Sequence, residues 1–484
     1  LSRAKSAGDS RSSEAFAIAS SAQEIGDPHR KIEVDRGWMV LQPPRSGTSR
    51  YIRPNFTWVN KIAGLLNRFM YHPDSDVQEL LRNGQLGYSA YRRTGLTHHH
   101  PQRSFKGYTV IAPQGGDSAY ALDMGGRIVH RWRFPDLRPF YARILANGNL
   151  AILGVETKFA PSGPRLPGAE LPADLKERVR GFGGNASVLR EVDWNGETVW
   201  EHNNETIHHD FVRLPNGNTV IVEWVDIPKE IERQVRGGQR TRTRKRPPMA
   251  GDEIYEIDPV GKEVWRAKVW ELHDPRLDPI CPLEPRNEWS HLNALDVNAD
   301  GDVLFSCRNN SRVGIINRTS GELTWSYGQP ETFHQHNATW LENGNVQIFD
   351  NGMHRLGMPR SRIIEVNPAT NEIVWEYTAS PDIQFFSGHI SGAQRLSNGN
   401  TLVCEGAPGR LFETTKDREI VWEWLNPIVE TVRGDPSTSI FRAHRYGPDH
   451  PAFADRALEP RRYMELNRLH GLGGPGFRGS RFGG

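Results

Sequence analysis

Six histidines offer the chemistry in this sequence: His208, His209, His291, His334, His336 and His389. Each stands shortly before a tight turn of the Asn-Gly-Asn kind, in LPNGN, NADGD, LENGN or LSNGN. Counted back from the residue before the turn glycine, His209 and His336 lie seven positions upstream, and His291, His334 and His389 nine. Asn293 follows His291 closely. An imidazole can act near pH 7 as nucleophile, general base or metal ligand. Arg308, in SCRNNSR, and Asp350, in FDNG, follow the second strand after two of these turns. A guanidinium set among several imidazoles makes a site for an anion.

The elements that must position these residues are two alternating hairpins. The first is built on LANGNLAIL (145–153), LPNGNTVIVEW (214–224), NADGDVLFSCR (298–308), LENGNVQIFDNG (341–352) and LSNGNTLVCEG (396–406). Asn-Gly between apolar runs is a strong hairpin signal. The second ends in an aromatic: ALDMGGRIVHRW (121–132), EVDWNGETVWEH (191–202), EIDPVGKEVW (256–265), IINRTSGELTW (315–325), EVNPATNEIVWEY (365–377) and ETTKDREIVWEW (413–424). Two hairpins give four antiparallel strands per unit. Six such units predict an all-β fold, a six-bladed β-propeller. The innermost strand of each blade then lines a central channel. Residues just before the turns lie at similar depth, so histidines far apart in sequence meet around one axis. Tyr141 occupies that place in the first blade.

The bulk numbers exclude several classes. A net charge of +2 over 484 residues gives no global field toward nucleic acid or membrane. No stretch approaches the roughly 18 apolar residues of a membrane helix. Cys281, Cys307 and Cys404 show no CxxC spacing and permit at most one disulfide. No secretory leader is visible, and a first residue of Leu rather than Met fits a processed N-terminus.

The domains expected are an N-terminal extension over 1–104, the propeller over 105–455 and a basic, Gly-rich tail over 456–484. The extension reads as an arm, then helical pattern between Phe56 and Leu86, then a solvated loop at His98-His99-His100. Residues 228–250, with RQVRGGQRTRTRKRPP, read as a mobile solvated loop, and 271–289 as a Pro-rich insertion around Cys281. FRAHRYGPDHPAF (441–453), with His444 and His450, reads as a structural segment that closes the ring of blades or caps the channel.

At this point the residues resemble a known family. From Phe105 to about Pro427 the chain is similar to the bacterial, PAPS-independent aryl-sulfate sulfotransferases. HHDFVRLPNGN, EWSHLNALDVNADGDVLFSCRNNSRVGII and QHNATWLENGNVQIFDNG look like that family's active-site segments, in the family's order. The resemblance implies a ping-pong transfer. A histidine attacks the sulfur of an aryl sulfate, phenolate leaves, and a sulfohistidine passes the group to a second phenol. His336 matches the nucleophile. His291 and Arg308 match groups that hold the sulfuryl oxygens, Asn293 a polar residue beside them, and His209 a further channel histidine. His208, His389 and His334 are the remaining substrate-binding candidates. No metal or cofactor is expected, and a periplasmic or secreted location follows from the resemblance alone.

Two other readings compete. Channel histidines can hold copper or another transition metal for redox work, although Arg308 is a poor neighbour for a metal ion. Alternatively, the propeller is a non-catalytic assembly subunit whose N-terminal arm and C-terminal tail wrap a protein partner or a second copy.

Overall fold

The structure, a computed structural model, describes residues 32–35, 38–41, 94–159, 172–239, 248–454 and 456–472. The chain forms two compact units, Leu1–Leu66 and Asn67–Gly484. In the first, Ile32–Asp35 pairs antiparallel with Trp38–Leu41. The second holds the propeller. The helices expected between Phe56 and Leu86 lie outside the described residues, as do residues 240–247 of the basic loop and residues 473–484 of the tail.

Turn chemistry sets the strands. Gly148, Gly217, Gly301, Gly344 and Gly399 all take left-handed backbone, with φ from +82° to +88°, where glycine meets no steric penalty. Each reverses the chain between the first and second strands of a sheet. Six sheets of antiparallel strands result. Blade 1 is Leu137–Ile144, Leu150–Glu156, Val188–Val192 and Thr198–Asn203. Blade 2 is Ile207–Arg213, Thr219–Asp226, Ala250–Ile257 and Glu263–Lys268. Blade 3 is Leu292–Val297, Val303–Cys307, Arg312–Ile316 and Leu323–Gly328. Blade 4 is His336–Trp340, Val346–Asp350, Arg362–Asn367 and Glu372–Tyr377. Blade 5 is Gly392–Arg395, Thr401–Glu405, Arg410–Thr414 and Ile420–Leu425. Blade 6 takes its inner strand, Ile440–Tyr446, from the end of the propeller and its outer three, Tyr108–Pro113, Ser118–Leu122 and Ile128–Arg133, from the beginning. The segment holding His444 thus closes the ring.

Neighbouring sheets cover one another, so strands such as Val346–Asp350 and Thr401–Glu405 are buried throughout. Apolar clusters fill the seams, such as Val220, Leu292, Leu295 and Phe305 between blades 2 and 3. Each fully buried side chain of this kind contributes about 1.5–3 kcal/mol.

The repeated tryptophans and asparagines join blades. On the rim, in five of the six blades a Trp Nε1 donates to the outer turn of the next blade: Trp200 to Pro259 O (3.0 Å), Trp265 to Arg318 O (3.2 Å), Trp325 to Asn371 Oδ1 (2.8 Å), Trp375 to Lys416 O (2.8 Å) and Trp424 to Gly126 O (3.1 Å). At the far end of the inner strands, Asn343 and Asn345 both donate to Glu365 (2.9 and 2.7 Å), which also accepts from Arg395 of blade 5 at 3.0 Å. Asn147, Asn149 and Arg213 of blade 2 repeat this on Glu191. Around the channel, inner strands are tied side chain to backbone. Asp210 accepts from Leu295 N (2.9 Å), Asp296 from Trp340 N (2.8 Å), Asn337 from Ala393 N (2.8 Å), Gln394 from Arg445 N (2.7 Å) and the Tyr446 hydroxyl from Ile144 N (2.9 Å).

Two segments differ from the sequence reading. Gly95–His99 is a fifth strand on the outer edge of blade 5, pairing Trp422 with His99 and Glu423 with His98. The histidine run is therefore partly strand, because that edge offers an open ladder. The start of the expected tail is also built into the fold. Met464–Leu469 is helical, and Asn467 is buried, bonding Ile128 through both its N–H (2.8 Å) and its carbonyl (3.0 Å). The three cysteines are free and buried. Within the basic insertion, Gly237–Gln239 pairs in parallel with Ile280–Pro285.

Candidate functional site in the central channel

Irregularities in the inner strands build the site. Register shifts fall between Ile207 and Phe211 in blade 2, Leu292 and Ala294 in blade 3, His336 and Thr339 in blade 4, and Ile440 and Ala443 in blade 6. A bulge turns side chains off the strict alternation of a strand. His208, His209, Asp210, Asn293, Asn337 and Arg442 all stand at these shifts. His209, His291 and His334 adopt left-handed backbone, with φ of 51°, 55° and 54°. Such conformations cost about 1–3 kcal/mol each and persist where surrounding structure dictates them.

His336 is fixed in one tautomer. Its Nδ1 lies 2.8 Å from Asn351 Oδ1 and 3.1 Å from His334 O. Both are acceptors, so Nδ1 carries the proton and Nε2 the lone pair. The Asn351 amide cannot turn over, because its Nδ2 donates to Ser387 O at 2.7 Å and Ile390 O at 3.0 Å. Gln335, between the two histidines, is anchored by Nε2 contacts to Cys307 O (2.9 Å), Ser306 Oγ (3.1 Å) and Arg312 O (3.1 Å). Burial holds His336 well below the ordinary imidazole range, Arg308 lowers it further, and the Asn351 bond opposes both.

Around it stand three supported groups. The Nδ1 atoms of His208 and His209 are 2.8 Å apart, and His208 Nε2 is 3.2 Å from Asp252. With the His208 proton facing Asp252, His209 donates from Nδ1 and keeps its lone pair on Nε2. Asp252 is fully buried. Burial pushes its carboxyl up, but His208, the Ser290 hydroxyl and Leu292 N–H together hold it below the usual value. His209 fits against Gly184, where a Cβ would lie 2.2 Å from its Nε2. His291 packs edge to face on His209 at 4.5 Å between ring centres, and its Nδ1 bonds Glu288 at 2.8 Å. Arg308 pairs with Glu284 at 2.8 Å, and its backbone N–H donates to His291 O at 3.1 Å.

The structure thus brings His209, His291, Arg308 and His336 to one end of the channel. Asn293 is buried there too, donating to Gln335 O at 2.9 Å, with its Oδ1 making no hydrogen bond. His208 faces Asp252 and His209. His334 turns toward His354, with 3.1 Å between Nε2 and Nδ1. His389 is exposed at the same end, within the field of Arg308. Asp350 is taken up by Arg355 and by Arg362 at 2.6 Å and holds the loop.

The sequence reading missed Asn351, Asp252, Glu288, Glu284 and above all Arg442. The Arg442 guanidinium is buried on the inner strand of blade 6, 2.5 Å from Asp210 and 2.5 Å from Asn293 O. Asn351 and Asp210 were within reach, since they lie inside the FDNG and HHD motifs.

The model of the arylsulfotransferase (ASST) family matches residues 173–427, just over half of the chain. A search of curated proteins finds no match. Among solved structures, a protein of unknown function from Bacteroides caccae is 12% identical, with a TM-score of 0.43 over 70% of this chain and 98% of that one. A virginiamycin B lyase from Staphylococcus aureus is 13% identical, with a TM-score of 0.36 over 68% and 83%. The WD40 propeller domain of Doa1 is 9% identical, with a TM-score of 0.35 over 73% and 94%. The six-bladed assignment rests on strand order, not on these weak likenesses.

Proposed function

The chain belongs to the arylsulfotransferase family and is a sulfotransferase-type enzyme, and from that premise we propose that it moves a sulfuryl group from an aryl sulfate ester to a phenolic acceptor through a sulfohistidine on His336. The observation that carries this reading is the bond from His336 Nδ1 to the immobilised Asn351 Oδ1. It leaves Nε2 unprotonated for attack. Nε2 forms a bond to sulfur as the bond from sulfur to the aryl oxygen breaks, and the electron pair leaves with the phenolate. A second phenol reverses the steps.

The group in flight carries negative charge on three oxygens. Donors fixed before the reaction stabilise that charge more than they stabilise the ground state. Arg308, held by Glu284, supplies one such donor. His291, oriented by Glu288 through Nδ1, delivers a proton from Nε2 to the leaving phenolate when its ring is doubly protonated, and keeps the Nδ1 proton on the Glu288 carboxylate. His209 stands beside it, positioned by His208 and Asp252. Asn293 is a further oxygen contact, and His389 lies at the exposed end where the aryl group enters. A periplasmic setting belongs to this proposal through the family resemblance. No helix among the described residues is long and apolar enough to cross a membrane.

The test is intact mass after brief incubation with 4-nitrophenyl sulfate, with His336→Ala alongside. An adduct of one sulfuryl group with nitrophenol release, both lost in the variant, supports the route. Nitrophenol release that survives His336→Ala assigns the nucleophile elsewhere, and no release at all favours an assembly subunit.

A further inference from the structure

Cys281, His334 and His354 come from three separate segments. Cys281 lies in Ile280–Pro285, within the insertion between blades 2 and 3. His334 precedes the inner strand of blade 4, and His354 follows the second strand of that blade. One donor atom from each lies within 4.8 Å of the other two. His354 Nδ1 is 3.1 Å from His334 Nε2 and 3.3 Å from Cys281 Sγ. A single nitrogen thus faces both a second imidazole nitrogen and a thiol sulfur. A neutral imidazole nitrogen has one proton or one lone pair to offer, so it cannot satisfy both neighbours well.

The spacings suit a cation instead. Zinc binds His nitrogen at about 2.0–2.1 Å and thiolate at about 2.3 Å, giving tetrahedral edges of about 3.3 and 3.6 Å. Both observed separations fall a few tenths of an ångström short of those edges. The surrounding charge also fits. Glu284 Oε1 lies 3.7 Å from His334 Nδ1 and 3.8 Å from His354 Nδ1. For His334, which faces the cluster through Nε2, this carboxylate stands behind the imidazole, the usual place of an orienting partner. The buried Nδ1 of His334 has no hydrogen-bond partner, so Glu284 is its natural one. Arg308 faces Glu284 at 2.8 Å, which puts a carboxylate between guanidinium and metal.

We propose that Cys281, His334 and His354 bind one divalent ion of the zinc class, with the fourth position taken by solvent. The thiol proton passes to solvent when the metal binds. The ion would pin the insertion to blade 4 two residues before His336, making it a positioning site rather than a reacting one.

Cobalt(II) is the probe, added to the full chain and read by absorption, without turnover. The expected result is one equivalent bound, with tetrahedral d–d bands and a thiolate-to-cobalt charge-transfer band. Cys281→Ser should abolish the charge-transfer band, His354→Gln should weaken uptake at least tenfold, and Cys307→Ser should change neither. His354→Gln changes a loop residue, so it tests the site even where Cys281→Ser fails to fold. No cobalt uptake by the wild-type chain, or a charge-transfer band that survives Cys281→Ser, overturns the proposal. Either result leaves the sulfuryl-transfer reading untouched, because metal binding is measured without substrate.

Discussion

Asn351 holds His336 by one oxygen while both of its own N–H groups are held by the backbone that leads into blade 5, at Ser387 O and Ile390 O. The tautomer of the proposed nucleophile in blade 4 therefore depends on the neighbouring blade. Asn351→Ala frees the ring to rotate and to protonate on either nitrogen. Misplacing a reacting group by about 1 Å costs roughly 10²-fold in rate. The expectation is a kcat fall of that order with KM little changed, since Asn351 positions the imidazole and does not touch substrate. Steady-state kinetics with 4-nitrophenyl sulfate check this. A rise in KM at constant kcat would place Asn351 in substrate binding instead.

Arg442 and Asp210 form a buried pair between blades 6 and 2, and Arg442 also holds Asn293 O in blade 3. Burial works against the guanidinium's charge, but Asp210 and Tyr141 together outweigh it and keep the group charged. Arg442→Met leaves the buried Asp210 carboxylate hydrogen-bonded to the N–H groups of Phe211 and Leu295, with Arg143 as the remaining cation in its field. Breaking a buried pair from one side costs about 3–5 kcal/mol. Denaturant melts should show a loss of that size, and Asp210→Asn added to Arg442→Met should recover part of it. If the double variant is no more stable than the single, the cost lies in packing rather than in stranded charge.

The repeats were legible in the sequence because their chemistry is local. Asn343-Gly344-Asn345 forms its turn from its own residues, and Trp375 reaches only the adjacent blade. The convergence of His209, His291 and His336 was legible as well, because inner-strand register places residues at equal depth. What was hidden depends on contacts across blades. Arg442 reads as one more arginine in FRAHR until the ring closes and buries it against Asp210. Glu284 and Glu288 lie in an irregular insertion with no period to follow. Gly95–His99 becomes a strand only because blade 5 leaves an edge open, and nothing within the histidine run signals that edge. Asn467 was masked by the glycine-rich composition around it.

The rim tryptophans should differ in worth according to burial. Trp375 is half-buried, packs on the apolar cluster that holds Phe349 and Phe412, and gives one hydrogen bond to Lys416 O at 2.8 Å. Trp375→Phe keeps an aromatic ring on that cluster and removes the bond, a loss of about 1 kcal/mol. Trp424 is fully buried between blades 5 and 6, where Gly126 admits its indole. Trp424→Ala removes the bond to Gly126 O and opens a cavity, a loss of about 3–5 kcal/mol. Comparing both variants by denaturant melts separates the two effects. Equal losses would mean that the hydrogen bonds, and not the packing, hold the rim.

His130 joins blade 6, blade 1 and the C-terminal segment. Its Nε2 bonds Trp194 O at 2.9 Å, its Nδ1 meets the Tyr463 hydroxyl at 3.2 Å, and its ring stacks on Trp194 with 3.7 Å between centres. Burial pushes its pKa down to about 4, against a bond to Trp194 O that raises it. An imidazole in the unfolded chain titrates near 6.5. Between those values the unfolded chain holds more protons than the folded one, so stability rises with pH across this window. The contribution is complete above about 6.5, declines as pH falls toward 4, and amounts to on the order of 3 kcal/mol at its limit. Other buried histidines add to the same slope, so the variant must be compared with the parent at each pH. His130→Gln should be less stable than the parent at pH 7, and the gap should close as pH falls to 4, because glutamine has no proton to gain. Melts at pH 7, 5.5 and 4 measure this, and parallel profiles for the two proteins would show that His130 titrates freely in the fold.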